Sequence, residues 1–423
     1  MISAYLEATR ILYHDVDPRL KTAYRTLYEK TIKASSLRLK DHAPKFHVVH
    51  SLNKQAEVAT VGGDVYLVYD QYLGQTISEL SRIFYSAEDP CDARAFAFRI
   101  YAEAYVTAGN ADMAIFSAYL HSIKYNQSHK YKTLETIETK ERRAQSVIVQ
   151  EAFIIAHEFA HYLWSMRQVN EGDLDCLRDR IAEDAKPITN REKIIESHLD
   201  DLSFQYHGKN IPHSENILTD EDRERDRVLR AELHADFDKI DAERMRMAIE
   251  LKQNEAFLEE LWSDWSAAQA CLDIFYDELA PEILIEAVHL ALENLTTVTV
   301  ATKYALSLTN TDGDVADEED SSAHVKAVAL RKRILRKEIG EWAAEHFQDG
   351  LAITHNILRQ ANERYMRYVR DPITLDVPAR FNRASQLSPE SLRKFCETLA
   401  SVAPNQCDVM TILHTCPFAE AAE

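Results

Sequence analysis

The sequence predicts a mainly α-helical (α+β) protein with one small β-sheet, and three observations predict it. Only 9 of 423 residues are glycine, so few positions can take the positive φ that tight β-turns require. Apolar residues recur at helical spacing from Gln71 onward. Short alternating or β-branched runs, the mark of strands, cluster in one place, residues 46–69.

Taken in order, residues 17–35 read as a helix, with Pro18 suited to its first turn. Residues 46–50, 55–61 and 64–69 read as three strands, separated by Ser51-Leu-Asn-Lys54 and by the two-residue turn Gly62-Gly63. Their expected arrangement is an antiparallel meander. Helices follow, with breaks at Asp89-Pro90, Gly109-Asn110, Gly172, Pro187, residues 207–212 and Pro281. Thr219-Asp-Glu-Asp222 resembles a capping box and opens a long, charge-laced helix reaching about residue 250. Residues 310–322 read as a mobile acidic loop, and residues 371–389 as an ordered, proline-bearing connector. The expected division is a region 1–250 holding the meander and a helical C-terminal region 251–423.

Composition narrows the function. Forty-nine basic against 69 acidic side chains give a formal charge of −20. Nucleic acids and anionic membranes are bound mainly through cations, so neither is an expected partner. The N-terminus lacks the pattern of a signal peptide, and no run of 18 apolar residues occurs. The six cysteines are scattered, with no CxxC pair, which favours free thiols over disulfides or a thiolate metal knuckle. A cytoplasmic protein is expected.

One segment carries chemistry: Glu151-Ala-Phe-Ile-Ile-Ala-His157-Glu158-Phe-Ala-His161. No glycine or proline interrupts residues 146–166, so the HExxH core belongs on a helix. A spacing of four puts both imidazoles on one face, where they can reach one metal ion. Glu158 stands beside the first histidine, placed to act on a metal-bound water as the catalytic base. The bland reading is two ordinary helix histidines. A catalytic site of this kind needs a third protein ligand. The best candidate is Glu232 in Arg230-Ala-Glu232-Leu-His-Ala-Asp236, with Asp236 one turn on, able to accept a hydrogen bond from a ligand histidine. Both could equally be solvated members of an acidic helix, and His198 is the next candidate ligand.

HEFAH followed by ELHAD resembles the gluzincin zinc metallopeptidases, whose third ligand is the glutamate of a later ExxxD motif. Glu-x-x-Ala-Asp is similar to the M48-like, phage-exclusion Lit-like and ImmA/IrrE-like peptidases. The strand, Gly-Gly turn and strand ahead of HExxH match the M48-like layout. The likeness spans about residues 45–240, departing in its lack of membrane spans and in an insertion between Gly109 and Ser146. It implies a zincin-like core in which His157, His161 and Glu232 hold Zn²⁺, Asp236 orients His157 and Glu158 is the general base. It also implies an intracellular endopeptidase with a regulatory or defence role, whose protein or peptide substrate adds along residues 55–59. The C-terminal region would restrict access or select the substrate. Tyr162, His198, His234, His289 and His355 are candidate oxyanion donors. The alternative is a non-catalytic, metal-stabilised helical binding protein with a peptidase-like core; the presence of Glu158 weighs against it.

Overall fold

The computed structural model describes residues 2–10, 16, 18–34, 43–127, 135–188, 190–195, 197, 220–307 and 318–377. Among the described residues the protein is mainly helical, with one three-stranded mixed sheet. Two compact units emerge: residues 1–168 together with 263–423, and residues 169–262. C-terminal helices complete the core around the HExxH helix, and the middle of the chain forms the second unit.

In the first unit, α1 (Ile2–Thr9) and α2 (Pro18–Ala34) precede β1 (Lys45–Val49), β2 (Ala56–Val61) and β3 (Asp64–Asp70). The hairpin between β2 and β3 forms as the sequence predicts. Gly62 and Gly63 take φ of 62° and 87°, values that cost a side-chain-bearing residue strain. The meander does not form. The strand order is β1-β3-β2, and β1 runs parallel to β3, pairing Val49 with Asp70. Asp70 supplies the physical reason. Its buried carboxylate accepts from Ser51 N–H (3.1 Å) and the Ser51 hydroxyl just past β1, and from Tyr72 N–H (2.9 Å) at the following helix. The ends of β1 and β3 are thereby fastened side by side. β2 is left as an edge strand.

Asp70 also caps α3 (Gln71–Ser86), which is followed by α4 (Cys91–Thr107), α5 (Ala111–Gln127) and α6 (Ile137–Ser165). α6 carries the HExxH motif. Thr136 caps it by accepting from Thr139 N–H at 3.1 Å, and its 29 residues include no glycine or proline. β2 packs against it, as do α2 and α3. Its Val149, Phe153 and Ala156 join the core built with α9 (Glu255–Phe275), α10 (Pro281–Ser307), α11 (Glu318–His346) and α12 (Gly350–Tyr365). A buried polar chain threads these helices. Gln150 donates to Ser81 (3.0 Å) and receives from Asn294 (2.7 Å), and Tyr365 donates to Asn294 (2.8 Å). A π-helical continuation follows α12 through Asp376.

α10 is long and apolar enough to cross a membrane, yet 72% of its apolar stretch is buried within the fold. Of residues 310–322, those from Glu318 on belong to α11 rather than a loop; residues 310–317 lie outside the described residues. The same holds for residues 207–212, and for the connector beyond residue 377.

The second unit holds α7 (Glu171–Asp184) and α8 (Asp220–Leu251), with α8 spanning the predicted charge-laced helix. Asn170 caps α7 through Gly172 N–H at 3.1 Å, so Gly172 lies within the first turn rather than at a break. Arg191 and Arg244 pair with Asp241 in this unit.

Asp70→Ala removes the cap and both Ser51 bonds at once. We expect a loss of about 2–4 kcal/mol, read as a lower urea midpoint at unchanged slope.

Candidate functional site

Four residues apart on α6, the rings of His157 and His161 sit one turn from each other. Their Nε2 atoms face each other at 3.1 Å. Two Zn–N bonds of the usual length at a tetrahedral angle would put two ring nitrogens about 3.3 Å apart. Both histidines and Glu158 are half-buried, at the polar end of an otherwise buried run.

Behind His157 stands Asp264, on α9. Its Oδ1 lies 3.1 Å from His157 Nδ1, and its side chain is 1% exposed. Arg331 on α11 donates through Nε to the other oxygen, Oδ2, at 2.6 Å, and its Nη2 stands 2.6 Å from the same oxygen. Burial alone would raise this carboxyl; the guanidinium and the imidazole outweigh it and hold it below the usual carboxylate range. Asp264 is thus an anion. An anion facing Nδ1 draws the ring proton to that nitrogen and turns the Nε2 lone pair towards His161.

α9 runs unbroken from Glu255 to Phe275, and the boundary between the two units falls within it, after Trp262. Glu260 occupies the turn before Asp264, on the same face. His157, His161 and Glu260 each offer a ligand atom within 4.8 Å of the others. Two imidazole nitrogens and a carboxylate oxygen make the donor set of a catalytic zinc site with one position left open.

Glu232 and Asp236 are exposed on α8, and neither belongs to a metal-capable group among the described residues. The motif expected there recurs at Glu260-Leu-Trp-Ser-Asp264, with the same spacing of four. A signal was present in the sequence. Glu232 lies among charges, whereas Asp264 lies between Trp262 and Trp265 on an apolar helix, where a carboxylate needs a partner.

The oxyanion candidates scatter. Tyr162 is buried one residue past His161, about 100° round the helix. His234 is 3.2 Å from Glu192 in the second unit, and His355 is exposed on α12. His289 is buried on α10, where desolvation pushes its pKa down to about 4. His198 lies outside the described residues.

Glu151 was not singled out by sequence. It precedes Glu158 by two turns on the same stripe of α6. Tyr24 donates to its Oε1 at 2.9 Å, and the Tyr69 hydroxyl lies nearby. Gly74 makes room for the group: a Cβ there would collide with Glu151 Oε1 and come within 2.9 Å of both hydroxyls. Burial pushes the Glu151 carboxyl up to about 7, against the two tyrosines.

No protein-family model, curated protein or solved structure matches the chain.

The raised carboxyl has a pH signature. Folding favours the protonated form, so the stabilisation is complete below the unfolded value near 4.5 and is lost as pH rises through about 7. Relative to Glu151→Gln, the wild type should lose about 2–3 kcal/mol of stability between pH 5 and pH 8 in urea unfolding. Parallel pH profiles for the two proteins would contradict this.

Proposed function

We propose that the protein is a zinc-dependent endopeptidase of gluzincin type, with a zincin-like core, and that Glu260 takes the ligand role first assigned to Glu232. The observation that carries this is the ExxxD pair on α9: Asp264 addresses His157 at 3.1 Å while Glu260 joins both histidines within 4.8 Å. A purely structural histidine pair has no use for a buried aspartate behind one ring and a carboxylate in front.

His157, His161 and Glu260 would hold the ion, and Asp264 replaces Asp236 as the residue that orients His157. Zinc, when bound, supplies Lewis acidity and brings the pKa of a coordinated water to about 7. Glu158, adjacent to His157 and half-buried, accepts the proton of the attacking water and returns it to the leaving amine. β2 packs on α6, and no described strand pairs with its outer side. An extended protein or peptide substrate would add there, its main chain bonding to the strand edge beside the histidines. The charge of −20 gives no attraction to nucleic acid or anionic membrane, and a cytoplasmic setting suits the free thiols of Cys91, Cys176 and Cys271.

Purified protein should carry about one zinc per chain by elemental analysis. Glu260→Ala should lose it and Glu232→Ala should keep it; zinc retained in Glu260→Ala would overturn the ligand assignment. Glu158→Gln should retain zinc, while new protein termini generated by the wild type in cells fall by at least about 100-fold. Equal cleavage by the two proteins would remove the peptidase reading and leave the metal-stabilised binding protein.

A further inference from the structure

Arg331 holds Asp264 in an unusual way. Both nitrogens of its fork, Nε and Nη2, fall on the single oxygen Oδ2, leaving Oδ1 for the His157 ring. Neutralising a buried carboxylate does not need that geometry. The next residue on α11, Lys332, shows the simpler solution: one ammonium 2.7 Å from Oε2 of buried Glu293, with Arg336 at the other oxygen. Two nitrogens of one rigid guanidinium on a single oxygen anchor that oxygen, which leaves Oδ1 directed at the ring. The Arg331 side chain is only 14% exposed, so its own position is set by packing. α9 and α11 are tied a second time by Trp265 Nε1 donating to Glu338 at 3.3 Å. The result is a continuous line from α11 through α9 to α6, ending on His157.

We propose that Arg331 is a positioning residue of the metal centre: it fixes the Asp264 carboxylate so that the His157 ring presents its Nε2 to the ion. This rests on the zinc reading above and deepens it, because it makes a C-terminal helix part of the site. Without the guanidinium nothing anchors Oδ2, the carboxylate turns, and His157 loses the partner that sets its ring orientation. Simple charge arithmetic has the opposite sign, since deleting a cation beside a divalent ion would tighten binding. The two roles are therefore separable.

The test is zinc affinity, measured by chelator competition on the full chain, with circular dichroism and thermal unfolding to establish that each variant is folded. Arg331→Met and Asp264→Asn should each weaken zinc binding by about 10–100-fold. The double variant, which leaves neither charge stranded, should be no weaker than Asp264→Asn alone. Wild-type or tighter zinc binding by folded Arg331→Met would overturn the proposal, as would losses that multiply in the double variant. If Arg331→Met does not fold, Arg331→Lys decides: it keeps the charge without the fork, so a loss of about threefold or more supports positioning and unchanged affinity refutes it. A wild type that binds no zinc would instead sink the metalloenzyme reading itself, and this inference with it.

Discussion

A carboxylate with almost no access to water must be answered by charge or give up its own, and the answer to Asp264 organises the centre of this protein. The residue sits where three helices meet. Arg331 holds one oxygen from α11, and the other oxygen lies against His157 on α6. The desolvation cost of such a group is several kcal/mol, and it is offset only while both partners stay in place. Tertiary structure and site geometry therefore depend on each other. Whatever moves α11 or α9 also moves the ring that leads the HExxH motif.

How much of this could be read from sequence follows the range of the interactions. The α6 helix, the Gly62-Gly63 turn and the β2–β3 hairpin depend on residues close in the chain, and all three were legible. The pairing of β1 was not. Its parallel run beside β3 depends on the Asp70 carboxylate reaching back to Ser51, and no pattern within the strand itself reports that. The histidine pair was legible for the same local reason. The buried Asp264 carboxylate beside His157 was not, because an ExxxD spacing occurs on both α8 and α9. Spacing alone is blind to burial; the hydrophobic setting of each motif was the information left unused.

The acidity of the chain now divides into kinds with different physics. Glu232 and Asp236 are solvated members of a charged helix. Asp264 and Glu293 are buried anions matched to cations on α11. Glu151 is different again: it faces phenols rather than cations, and burial pushes its carboxyl up to about 7. A formal charge of −20 therefore overstates the charge near the HExxH helix around pH 7.

The first unit is discontinuous, built from residues 1–168 and 263–423, and this has a consequence for synthesis. At about 5–20 residues per second, a ribosome needs roughly 5–20 s to pass from the end of α6 to the part of α9 that packs on it. During that interval Val149, Phe153 and Ala156 have no α9 or α10 to cover them. Both histidines exist before the glutamate and aspartate that complete their surroundings. The nascent chain thus has an apolar helix to shield and a histidine pair without the buried Asp264 behind it. The centre can close only when the later helices have emerged.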